Sequence, residues 1–70
     1  MQQYLIVTRN TPDVVNLMSG YQNANNIYNE TGRRYYIWTN TTADDKDNFE
    51  NLQTLKVILA LVSLPAVETL

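Results

Sequence analysis

Seventy residues with no cysteine, no histidine and a formal charge of −2 bound what this chain can be. The length allows one domain with a marginal core, spanning residues 1–70. The missing residue types exclude disulfide staples, thiolate or imidazole metal sites and the commonest general base.

The β-branched and aromatic run Gln3 to Arg9 predicts a first strand. Thr11-Pro12-Asp13 then opens a helix, with Thr11 at the cap, Pro12 at the first turn and Asp13 complementing the dipole. Val14, Leu17, Met18 and Tyr21 follow the spacing of one buried helical face, while Gly20 weakens or ends the helix. Gln22 to Asn26 reads as a loop.

Ile27 to Thr39 predicts a hairpin whose turn is Asn29 to Gly32, with Gly32 free to take a positive φ. Arg34 to Thr39 is the strongest strand signal in the chain. Thr42 and Asp45 match a capping box for a second helix. Phe49, Leu52, Leu55, Leu59 and Val62 recur at three- and four-residue spacing, which extends that helix to Pro65. Ala66 to Leu70 is expected to be a short final strand or a tail.

The predicted order is β-α-β-β-α-(β), the plan of a small ferredoxin-like α+β sandwich with two helices on one face of an antiparallel sheet. The closing Ser63-Leu64-Pro65-Ala66-Val67-Glu68 resembles the helix-to-last-strand junction of ferredoxin-like families. That resemblance implies a fold and no particular activity.

The residues argue against an enzyme. Asp44, Asp45, Asp47 and Glu50 form a carboxylate cluster, but they occupy the first turns of the second helix, where negative side chains favour the helix terminus. Their spacing fails the calcium loop, Ser19 and Ser63 lack a histidine partner, and two glycines make no phosphate loop. No cofactor and no metal are expected.

Nucleic acid is an alternative. Arg33-Arg34-Tyr35-Tyr36-Ile37-Trp38 interleaves cations with aromatics, and alternation puts Arg34, Tyr36 and Trp38 on one side of the strand. Tyr36 and Trp38 on the open sheet face would stack bases as RNA recognition motifs do. Five basic residues against seven acidic ones, at a pI near 4.7, supply little phosphate attraction, so nucleic acid is the weaker reading.

Association with protein has better support. With Phe49, Leu52, Leu55, Leu59 and Val62 toward the sheet, Val57, Ile58, Leu61 and Leu64 are left without an intramolecular home. Together with Arg34, Tyr36 and Trp38 they are the expected interface residues, for a second copy of the chain or for another protein. The start Met1-Gln2-Gln3-Tyr4 has no basic leader region, and the run Val57 to Leu64 is far shorter than the ~20 residues that cross a bilayer, so a cytoplasmic location is expected. The function expected is a non-enzymatic, homodimeric interaction domain, accessory or inhibitory, of the kind found in viruses and mobile elements. The third reading is a regulatory domain that binds a small ligand in the dimer cleft.

Overall fold

The computed structural model describes residues 1–65. Its elements are β1 (Gln2–Arg9), α1 (Pro12–Ser19), β2 (Ala24–Glu30), β3 (Arg33–Asn40), α2 (Ala43–Thr54) and β4 (Ile58–Ser63). The strands form one antiparallel sheet in the order β2-β3-β1-β4, so the chain is a small α+β fold.

Local chemistry accounts for most of the boundaries. Thr11 stands at the N-cap of α1 with Pro12 behind it, although its hydroxyl donates to the Asp13 carboxylate and not toward the helix backbone. Gly20 closes α1 in a right-handed conformation, its N–H donating to the Leu17 carbonyl. In the hairpin Glu30 pairs with Arg33, leaving Thr31 and Gly32 as the loop, and Gly32 takes φ +83°. The strand before it begins at Ala24, earlier than its asparagines suggest. Asn26 explains the difference: its amide donates to the Tyr35 carbonyl at 2.9 Å and its oxygen accepts from Arg34 at 3.1 Å, so the partner strand overrides turn propensity.

The core forms where one face of the sheet meets both helices. Ile6, Tyr36 and Trp38 project to that face, and Val14 and Met18 of α1 with Phe49 and Leu52 of α2 cover them. Trp38 is fully buried between Tyr21 and Phe49, with ring centroids at 5.5 and 5.4 Å, and its Nε1 donates to Asn40 Oδ1. Thr8, the one buried polar residue among those described, donates its hydroxyl to the Arg9 carbonyl.

The C-terminal third departs from expectation. Helix α2 ends at Thr54, not at Pro65, and Val57 to Ser63 runs into an extended strand. Lys56 makes the break at φ +57°, an uncommon conformation for a residue with a side chain. The physical reason is the exposed side of β1: β4 pairs with Tyr4 to Thr8 and satisfies that edge, which a continued helix could not do. Ser63 therefore ends a strand, which corrects the helix end read there; Ala66 to Glu68 of that junction lie outside the described residues. The final strand expected at Ala66 to Leu70 lies outside the described residues; the last strand observed is β4.

Candidate interaction surfaces

Within the carboxylate cluster, Asp45 serves as a helix cap. Asp45 accepts from the Thr41 N–H at 2.8 Å, the Thr41 hydroxyl at 2.7 Å and the Thr42 N–H at 3.1 Å. In return the Asp45 N–H donates to Thr42 Oγ1, completing the capping box. These bonds, with the Thr41 hydroxyl foremost, hold the Asp45 carboxyl at about 2, below the ordinary 3.8. A side-chain hydrogen bond from Asn23, outside the turn, acts in the same direction. Among the described residues no three acidic side chains converge on a cation-sized space.

Beside that cap lies a shallow depression of about 370 Å³ lined by Gln2, Tyr4, Asn40, Thr41, Thr42, Ala43 and Lys46. Its lining offers hydroxyl, amide and phenol groups for hydrogen bonding and the Lys46 ammonium.

The sheet face turned away from the helices is uncovered by any described element. Strand pairing lines Leu5 up with Ile37 and Val62, and Val7 with Tyr35 and Ala60. Tyr28 extends the second row, its ring 5.5 Å from that of Tyr35. The outcome is an apolar centre with Asn25 at the end of the first row and flanked by two polar rows, Gln3 with Thr39 and Arg9 with Arg33 and Glu30. Tyr35 donates its hydroxyl to the Glu30 carboxylate, and this bond holds the phenol above its ordinary pKa.

This face is not the one expected from the sequence. Tyr36 is 3% exposed and Trp38 0%, both under the helices, so neither ring is available as an interface anchor or a base-stacking platform. Arg34 shares their side: its Nε donates to the Tyr36 hydroxyl at 2.9 Å, and its guanidinium carbon lies 5.6 Å from that ring's centroid. Tyr35 and Ile37 are what the strand presents outward. Alternation was legible, but both sets contain aromatics, so pattern alone could not assign the sides.

The other candidates sit on or beside β4. Val57 and Ile58 are half-buried and pack against the edge of the core, Leu61 is exposed, and Leu64 is half-buried with its N–H bonded to the Gln3 carbonyl. The expectation that all four lack an intramolecular home is corrected: Val57 and Ile58 find one against the core, and of the four only Leu61 is exposed, on a strand and not on a helix. Leu55, Leu59 and Val62, read as the sheet-facing helical positions, are 50%, 42% and 50% exposed. With Leu61, these make four of the seven exposed large hydrophobics, so the exposed apolar surface is concentrated on β4 and the turn that leads into it. No described helix is long and apolar enough to cross a membrane.

Compared with protein-family models, curated proteins and solved structures, the chain has no significant match.

Proposed function

We propose that this chain is a small, non-enzymatic protein-interaction domain that works inside the cell as a homodimer, in an accessory or inhibitory role toward another protein. The observation that carries the reading is the uncovered sheet face, where exposed Tyr28 and Val62 and half-buried Leu5, Tyr35 and Ile37 surround the buried Val7 as an apolar centre within a polar rim. An apolar centre with a polar rim is the anatomy of a protein–protein interface. The apolar strand β4 supports the homodimeric part. The reading also takes the fold as ferredoxin-like, supported by the β-α-β-β-α-β order and the place of β1 between β3 and β4.

Light scattering on the purified chain tests self-association. A mass of twice 8.1 kDa at micromolar concentration is expected. A strict monomer up to ~1 mM, where association would contribute only about 4 kcal/mol, would remove the homodimer from this reading.

A further inference from the structure

Strand β4 has the composition of one place in a sheet and the position of another. Ile58-Leu59-Ala60-Leu61-Val62, closed by Ser63, is a continuous apolar run without polar alternation, the pattern of a strand buried on both faces inside a sheet. Yet β4 is an edge, with β1 its only strand neighbour among the described residues. All its residues after Ile58 are exposed. Edge strands in natural proteins are ordinarily blunted by charge, proline or a bulge within the exposed stretch.

The opposite edge shows what such protection looks like. Strand β2 carries Asn25, Asn26, Asn29 and Glu30, and its pairing is interrupted between Asn26 and Tyr28. Strand β4 carries no charge at all. Its one irregularity falls at the start, opposite Val7 and Thr8, and leaves Ala60 to Ser63 in regular register.

We infer that β4 pairs antiparallel with β4 of a second copy about a two-fold axis, joining two sheets into one of eight strands. This rests on the homodimer proposed above and names its seam. The backbone geometry suits it. The Leu64 N–H bonds to the Gln3 carbonyl, so alternation turns the N–H and C=O of Val62 and Ala60 toward β1. The same groups of Leu61 and Ser63 point out along the free edge.

Charge allows a second copy as the occupant. In an antiparallel self-pairing centred near Leu61, the two Lys56 ammoniums lie at opposite ends of the seam, roughly 33 Å apart, so no like charges oppose. Only one edge of the sheet is unprotected, so the contact is isologous and closes at two copies instead of extending into a filament. The seam covers Leu59, Leu61 and Val62 of both copies and leaves the rest of the apolar centre, around Ile37, free for a different protein.

Two variants and a cysteine scan test the seam. Leu61→Pro removes an outward N–H without breaking the ladder to β1, since proline is tolerated on an edge strand with its nitrogen toward solvent. Leu61→Pro should scatter as a folded monomer, with the circular dichroism of wild type. Ile37→Glu, on the uncovered face, should remain a dimer. If Leu61→Pro stays dimeric while Ile37→Glu becomes monomeric, the chain self-associates through the face and the β4 seam is wrong. A monomeric wild type sinks the homodimer and the seam together.

Should Leu61→Pro fail to fold, single cysteines at Ala60, Leu61 and Val62 decide, in a chain that has no cysteine of its own. Residues facing each other across the axis have Cα atoms about 5.5 Å apart, within disulfide reach. At least one of the three should form a covalent dimer in air, with a cysteine at Asn29 on the far edge as the unreactive control. No cross-link at any of the three would overturn the seam.

Discussion

The rings of Tyr4 and Phe49 lie stacked, with centroids 4.4 Å apart and planes inclined by 18°. This pair ties the central strand β1 to helix α2, and Phe49 also touches the Trp38 ring, so one side chain joins the helix to two strands.

Phe49 is buried, so Phe49→Ala should cost about 3–5 kcal/mol through lost contacts and the cavity left behind. For a domain of this size that lowers the melting temperature by well over 10 °C, and can unfold it outright. Thermal melts by circular dichroism decide it. A shift below about 4 °C would show that Phe49 does not anchor the helix.

Trp38 is the chain's only tryptophan and is fully buried among Tyr21, Phe49 and the Asn40 amide. Its fluorescence should be blue-shifted in the folded protein and move to the red on unfolding. Trp38→Ala should unfold the domain, in contrast to the fold-neutral loss expected of an interface anchor. Single-stranded oligonucleotides should leave the emission unchanged. Saturable quenching at physiological salt would mean that bases reach the ring, and the core placement would fail.

Punctuation residues were the legible part of this chain because their effects are local. Thr11-Pro12, Gly32 and the Thr42–Asp45 box mark the same turns in the structure as in the sequence. Two features were not legible, for different reasons. In β3 the inner set Tyr36 and Trp38 and the outer set Tyr35 and Ile37 are both apolar, so the helices alone decide which is core. In the run from Leu52 to Leu64 the apolar residues satisfy helical spacing and an all-apolar strand equally well. The β-branched Val57, Ile58 and Val62 were the signal favouring a strand, and the unpaired side of β1 made the choice. The candidate surface inherits both ambiguities: helical spacing divides the residues of β4 between a sheet-facing and an outward set, and the uncovered face follows only from the strand pairing.

Asp45 makes stability depend on acid. Its folded pKa of about 2 lies below the ordinary 3.8, so the native state favours the carboxylate. A depressed pKa contributes stability that is fully present above about pH 4 and is lost as pH falls toward 2. Urea midpoints of wild type and Asp45→Asn should therefore differ most near pH 6 and the gap should narrow as pH falls to 2. A gap that stays constant across this range would mean that the cap bonds do not depend on the ionised carboxylate.

Lys56 offers a sign test of where α2 stops. At φ +57° it bears the crowding of its Cβ against the following carbonyl, which costs roughly 1–2 kcal/mol in a residue with a side chain. Glycine removes that strain and loses somewhat more chain entropy on folding, so Lys56→Gly should be neutral or stabilising by up to about 1 kcal/mol. Within a helix continuing to Pro65 the same change would destabilise by about 1 kcal/mol, because glycine is a poor residue for a helix interior. Chemical denaturation followed through Trp38 resolves the two outcomes, since they differ in direction and not merely in size. A destabilised Lys56→Gly would restore the long helix and remove β4 as a strand. An unchanged or stabilised variant fits a chain that turns at Lys56 and lays Ile58 to Ser63 along the free edge of β1.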